Sequence, residues 1–209
     1  MLASLKIWSL CGLLMLTASA SAYSAPKTVL VLGDSLSAEY GLTRGSGWVA
    51  LLEKKLKAEK IDAAVINASI SGETTSGGRS RMPALLAQHK PDLVVIELGA
   101  NDGLRGQPVA AAEANLRSMI ELANKSKARV LLVGMRMPPN YGREYTERFF
   151  GMYKGLSTRY KAPLVPFMLE GVADKPALFQ GDRLHPNAQA HPIILTNIWP
   201  TLAPMLKAR

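Results

Sequence analysis

The stretch Thr28–Leu32, Thr-Val-Leu-Val-Leu, is apolar after its first residue, shows no alternation, and runs straight into Gly33-Asp34-Ser35-Leu36-Ser37. A strand with one face in water alternates, so an unbroken run of Val and Leu demands cover on both faces, the condition of a parallel sheet. The rest of the chain must then supply helices above and below it. Gly33 permits the sharp change of direction that lifts the following side chains out of the sheet end. Ligands of open α/β sheets bind outside the carboxyl ends of the strands, so Ser35 stands where chemistry would occur.

The remaining pattern meets that demand. Ser46 predicts the cap of a helix in which Trp48, Leu51, Leu52 and Leu56 form one apolar stripe. Ala63–Ala68 reads as a second strand, ending in the polar, flexible segment Asn67–Thr75. A helix across Arg79–His89 closes at Lys90-Pro91. Leu93–Leu98 is a third strand, running into Gly99-Ala100-Asn101-Asp102-Gly103, and Val109, Ala112, Leu116, Met119, Ile120 and Ala123 then give helical spacing. Val130–Gly134 is a fourth strand, followed by a loop from Met135 to about Arg143, a helix over Glu144–Tyr160, a short strand at Leu164–Phe167 and a final helix from about Pro192. His191, just before a proline, reads as a joint and not as a second base. Strands alternating with helices mean βαβ crossovers, and a flavodoxin-like order 2-1-3-4-5 would bring the ends of the first three strands together. The expectation is a three-layer α/β fold with a five-stranded parallel sheet flanked by helices.

Length and composition bound the function classes. The 209 residues, 48% of them hydrophobic, suffice for one α/β domain, expected over 23–209. Residues 1–22 read as a cleaved secretory signal peptide: Lys6 precedes the apolar run Ile7–Leu16, and Ala20-Ser21-Ala22 fits an A-x-A cleavage site. A periplasmic or secreted location follows, and the run is too short for a membrane anchor. Cys11 lies inside it, so the mature protein has no thiol for cysteine catalysis or a thiolate metal site. The formal charge of +9 falls by one with Lys6. Lys54, Lys55, Lys57 and Lys60 read as a solvated helix face, although a basic surface also favours proximity to anionic phospholipid. No aromatic-basic stripe, zinc spacing or helix-turn-helix pattern accompanies the charge, so no nucleic-acid partner is expected.

Gly-Asp-Ser alone is equally a strand-to-loop turn. What singles it out is Asp182-Arg183-Leu184-His185-Pro186-Asn187 near the other end of the chain, an acid and an imidazole three residues apart. A serine nucleophile needs a base to take its proton, and the base needs an acceptor to hold its tautomer; Ser35, His185 and Asp182 supply all three. Acyl transfer also needs donors aimed at the oxygen that becomes negative. The Ser35 N–H, Gly72 and the Asn101 amide each lie just after a different strand, although singly Gly72 is a loop glycine and Asn101 a turn asparagine. Asp34 and Asp102 are rival acids by type, and each is expected to brace its own loop through backbone N–H groups.

Gly33–Ser37, Gly72 within Ser69–Thr74, Asn101 within Gly99–Gly103, and Asp182 through His185 resemble the four ordered blocks of the GDSL, or SGNH, hydrolases. The likeness spans nearly the whole mature chain. Through Glu97–Gly106 and Pro139–Arg143 it is closest to the bacterial periplasmic members with thioesterase, lysophospholipase and arylesterase activities. It implies Ser35 as nucleophile, His185 as base, Asp182 as orienter, and Ser35, Gly72 and Asn101 as the oxyanion hole, with no metal or cofactor. The implied substrates are small acyl esters or thioesters, lysophospholipid among them, handled by a monomer with no stable membrane insertion. Glu73 and Ala100 depart from the family pattern without removing a catalytic function. In the thioesterase member that this chain resembles, a Leu-Pro stands at the place of Met137-Pro138 and belongs to a loop that shifts with acyl-chain binding, and the resemblance carries that role to Met137 and Pro138 alone. An unbranched thioether also suits an adaptable apolar wall, so both are expected to bind substrate. Three rivals remain in view. A carbohydrate O-acetylesterase would share the triad, and a non-catalytic periplasmic lipid carrier would need only the pocket. A phosphate-binding flavodoxin-like domain would need G-x-G-x-x-G or G-K-[ST], which Leu32–Leu42 lacks.

Overall fold

Strand β1, Lys27–Gly33, lies inside the sheet, and its Val29, Leu30, Val31 and Leu32 are wholly buried, as an unalternating run requires. The computed structural model describes residues 26–207; the signal peptide expected over 1–22, with Cys11, lies outside them. The other strands are β2 (Ala63–Asn67), β3 (Leu93–Glu97), β4 (Arg129–Val133) and β5 (Leu164–Val165), each parallel to its neighbours. Their order is β2-β1-β3-β4-β5, the expected flavodoxin-like arrangement. In this register Gly33 pairs with Glu97 and Val31 with Asn67, so the segments that follow β1, β2 and β3 converge on one edge of the sheet.

The helices are α1 (Trp48–Ala58), α2 (Thr75–His89), α3 (Ala100–Leu104), α4 (Val109–Lys125), α5 (Arg143–Tyr160) and α6 (His191–Lys207). Helix α1 packs against α6, while α2, α4 and α5 pack side by side as a separate layer. The stripe read from the sequence faces the sheet: Trp48, Leu52 and Leu56 of α1 are buried, as are Leu116, Met119 and Ile120 of α4.

Several boundaries differ from expectation for local reasons. Ser46 does not cap α1; its hydroxyl donates to the Thr43 carbonyl, and Gly47 takes the cap position. The free N–H groups there are met from a distance, Gly47 by Glu39 Oε1 at 2.7 Å and Trp48 by His191 Nδ1 at 3.0 Å. His191 itself opens α6 and is buried, so the expected joint ties α6 to α1 through its imidazole. Helix α2 begins at Thr75 and not at Arg79, with the Thr74 hydroxyl accepting the Gly77 N–H. Gly77 and Gly78 lower the helix propensity of that turn and hide it in the sequence. Gly78 is there for closeness, since a Cβ on it would come within 2.3 Å of Leu98. Strand β5 stops at Val165, shorter than the expected Leu164–Phe167.

Candidate active site

The turn after β1 is built around Asp34. Its carbonyl accepts the N–H groups of Ser37 and Ala38 at 3.2 and 2.9 Å, and its Oδ1 accepts that of Leu36 at 3.0 Å. Ser35 is thereby held at the start of a helical turn, with its side chain in the cleft. Beneath this turn lies Glu97, the last residue of β3, with no exposure. Its Oε2 accepts the Ser37 hydroxyl at 2.7 Å and the Asp34 N–H at 3.3 Å, and the Trp48 indole donates to the same hydroxyl oxygen at 3.1 Å. Its Oε1 has no hydrogen-bond partner among the described residues. Burial, then the Asp34 charge, pushes the Glu97 carboxyl well above its ordinary value. Burial also raises Asp34, to about 6, while the Leu36 N–H, the His185 imidazole and the Asn101 amide work against that rise. Gly33 makes room for the arrangement, because a Cβ there would sit 2.7 Å from both Glu97 Oε2 and Ser37 Oγ. This carboxyl under the turn was missed by sequence reasoning. Its signal was an acidic residue closing a fully apolar strand.

His185 and Asp182 arrive on the loop before α6. His185 Nε2 lies 3.0 Å from Ser35 Oγ, and its Nδ1 lies 2.7 Å from Asp182 Oδ2. Asp182 Oδ1 accepts the N–H groups of Leu184 and His185 at 2.9 and 3.0 Å. The His185 backbone and side chain, followed by the Leu184 N–H, hold the Asp182 carboxyl down at about 2. Two residues not singled out from the sequence clasp this loop to the serine segment. Gln180 Nε2 donates to the Tyr40 carbonyl at 2.8 Å and the Pro186 carbonyl at 3.0 Å, and a Cβ on Gly41 would meet Gln180 Oε1 at 2.0 Å. The Tyr40 ring lies over the imidazole with centroids 4.3 Å apart.

Gly72 and Asn101 complete the edge. Gly72 has φ +78°, a conformation that favours glycine, and Arg105 Nη2 donates to its carbonyl at 3.1 Å. Asn101 Nδ2 donates to Asp34 Oδ2 at 3.1 Å and to the Glu73 carbonyl at 3.0 Å, tying together the segments after β1, β2 and β3. Both amide hydrogens are therefore engaged in this structure. Asp34 braces its own loop, as expected, and Asn101 as well. Asp102 instead braces the start of α2, accepting the Thr75 N–H at 2.9 Å and hydroxyl at 2.6 Å, because α2 begins earlier than its glycines suggest.

From this edge a cleft of about 940 Å³ runs past Met135, Met137 and Pro138 to Phe150, Phe167, Leu169, Ala173 and Phe179. Met137 is buried, and its sulfur fills the space that a side chain on Gly103 would need. The arrangement combines a hydroxyl hydrogen-bonded to an imidazole, an imidazole hydrogen-bonded to a carboxylate, nearby N–H donors, and a largely apolar trough. Those are the parts that acyl transfer from an apolar donor requires.

Known proteins share this frame. A family model described as GDSL-like Lipase/Acylhydrolase matches residues 31–193. Esterase TesA of Pseudomonas aeruginosa is 51% identical over 93% of this chain and 95% of its own length. Thioesterase 1/protease 1/lysophospholipase L1 of Escherichia coli is 43% identical over 88% of this chain and 86% of its own. Among solved structures, the psychrotrophic esterase EstA from Pseudoalteromonas sp., inhibited by monoethylphosphonate, superposes with a TM-score of 0.83 at 43% identity, covering 87% of this chain and all of that one. By sequence over most of its length and by the arrangement of its sheet, this chain belongs to the GDSL-like lipase/acylhydrolase family.

Proposed function

We propose that the protein is a serine esterase that hydrolyses carboxylic esters and thioesters of acyl chains through an acyl-enzyme on Ser35. In this mechanism Ser35 Oγ attacks the acyl carbonyl while His185 Nε2 takes its proton, and Asp182, ionised across the neutral range, holds the imidazole tautomer and balances its charge. The carbonyl oxygen becomes negative and is met by the N–H groups of Ser35 and Gly72 and by Asn101 Nδ2, which exchanges one of its present acceptors for it. The C–O or C–S bond then breaks, His185 returns the proton to the departing alcohol or thiol, and water repeats the cycle on the acyl-enzyme. Met137 and Pro138 form the wall along which the chain lies. Supporting this reading is one observation above others: the line Asp182–His185–Ser35, at 2.7 and 3.0 Å, opens onto an apolar cleft far larger than an acetyl group needs. The apolar lining of that cleft favours longer acyl groups over the polar sugar of a carbohydrate O-acetylester, and the line itself supports an enzyme over a carrier.

The relatives named as esterase and thioesterase/lysophospholipase suggest the same chemistry, with lysophospholipid as a substrate of the class. Removal of residues 1–22, a periplasmic location and a monomeric state complete the proposal. The test is an acyl-length series of p-nitrophenyl esters, with acyl-CoA and lysophospholipid alongside, on wild type, Ser35→Ala and His185→Ala. Each variant should lose nearly all activity and the pair should lose little more, because the residues act as one unit. A serine-directed phosphonate should label wild type alone. Retained turnover or labelling in Ser35→Ala would overturn the assignment.

A further inference from the structure

Among the described residues, the exposed large apolar side chains are Tyr40, Ile70 and Leu184, at 49%, 47% and 46% exposure. They come from three distant parts of the chain, after β1, after β2 and beside His185, yet all three loops lie at the site end. Tyr40 and Leu184 line the cleft, and Ile70 stands two residues before Gly72, which also lines it. Isolated exposed apolar residues are ordinary, but their concentration around one opening marks an interaction surface.

The charge around the opening identifies the partner. Arg44, Arg105, Arg136 and Arg183 are exposed on the loops at this end, and none makes an ion pair among the described residues. Of the acids nearby, Asp182 is engaged with His185, Glu73 with Arg81, Glu147 with Arg143, and Glu39 with the Gly45 and Gly47 N–H groups; Glu170 and Asp174, exposed beside the cleft-lining Leu169 and Ala173, leave the four arginines in excess. Arg105 donates to the Gly72 carbonyl and Arg136 lies over the Phe150 and Phe167 rings, but no carboxylate among the described residues neutralises any of the four. Exposed apolar side chains among guanidinium groups, on a chain of formal charge +9 that stays strongly basic without Lys6, complement a surface of acyl chains beneath phosphate headgroups.

We infer that the mouth of the cleft is a docking surface for anionic phospholipid, with Tyr40, Ile70 and Leu184 entering the interface and the arginines meeting the phosphates. No described helix is long and apolar enough to cross a membrane, so the contact is peripheral and reversible. Resting on the acyl-ester reading above, the inference gives the cleft its source of substrate. A single-chain lipid slides from the leaflet into the trough without its chain crossing water.

The experiment measures co-sedimentation of the mature Ser35→Ala protein, which performs no chemistry, with vesicles of phosphatidylcholine alone or with phosphatidylglycerol added. Binding is expected to the anionic vesicles, to weaken strongly near ~0.5 M salt, where screening is within a few ångströms, and to fall about fivefold with Ile70→Ser. Ile70→Trp should strengthen it. Ile70 bonds through its backbone, to the Gly33 carbonyl and the Glu73 N–H, so Ile70→Ser should fold and hydrolyse soluble p-nitrophenyl acetate at the wild-type rate. No binding to anionic vesicles, or binding unchanged by Ile70→Ser, overturns the inference. So does sedimentation velocity showing a dimer that Ile70→Ser dissociates, which would make a second copy the partner. Hydrolysis of the soluble ester separates these outcomes from failure of the esterase reading.

Discussion

Glu97 is a carboxyl group placed beyond the reach of water, and its consequences are measurable far from catalysis. Its folded-state value lies above its unfolded one, so between the two the native state holds an extra proton and stability falls as pH rises. Asp34 adds the same sign between 3.8 and about 6. Glu97→Gln keeps a neutral side chain in place and removes the Glu97 slope. Relative to wild type, the variant should therefore gain stability as pH rises above 4.5, by up to about 1.4 kcal/mol per pH unit until Glu97 ionises in the fold. Urea unfolding across that range checks it; a difference independent of pH would mean that Glu97 is ionised in the fold. His191 has the opposite sign. Burial lowers its value, so below about 6.5 the unfolded chain takes the proton first and stability is lost as pH falls. At the same scale, Asn101→Ala should lower kcat by about 10²–10³-fold with little change in KM if the amide serves the oxyanion. Near-wild-type turnover in steady-state kinetics would leave Asn101 as a tie between loops.

The elements differ in how much room their glycines leave. Gly151 and Gly155 lie inside α5, exposed, with open space where a Cβ would point. Each Gly→Ala change there should add about 0.5–1 kcal/mol of stability, read as a rise in Tm, because Ala loses less backbone freedom in a helix. Gly134 is the counterexample, since a Cβ on it would lie 2.4 Å from the Pro166 carbonyl oxygen, where β4 leads away beside β5. Gly134→Ala should destabilise by ~1–3 kcal/mol, as overpacking does. In the loop after β4, Met137→Ser should flatten the rise of kcat/KM with acyl length, which otherwise approaches ~0.8 kcal/mol per buried methylene, and leave acetyl-ester hydrolysis nearly intact. An equal loss on acetyl and octanoyl esters would show that the loop is no acyl wall. Strands and helices with strong periodicity were legible before the structure, because burial on both faces and an apolar stripe each leave a pattern in the residues. The start of α2 was not, since its stability comes from the Thr74 cap and from packing against Leu98 and not from propensity.

For the molecule as a whole, parallel strands put the segments after β1, β2 and β3 at one edge, and that is why residues from 35 to 185 meet in one cleft. The residues proposed to react could be nominated from the sequence because acyl transfer restricts the residue types that perform it and because the four motif blocks resemble those of the family. Their supports could not: Gln180, Tyr40 and Glu97 act through long-range contacts that no local pattern announces. The opposite pole carries its own consequence. There Lys27 Nζ donates to the Leu206 carbonyl at 2.8 Å, and the Arg129 guanidinium donates to that of Met205, fastening the end of α6 beside the beginning of β1. A strand of seven residues separates that pole from the serine turn, about 20 Å of rise. Grafted to a solid support through its carboxyl terminus, the protein would stand with its cleft facing the bulk solution, and an immobilised preparation should keep its kcat/KM on soluble esters. Grafting through a cysteine introduced by Ile70→Cys would press the mouth against the support and silence it.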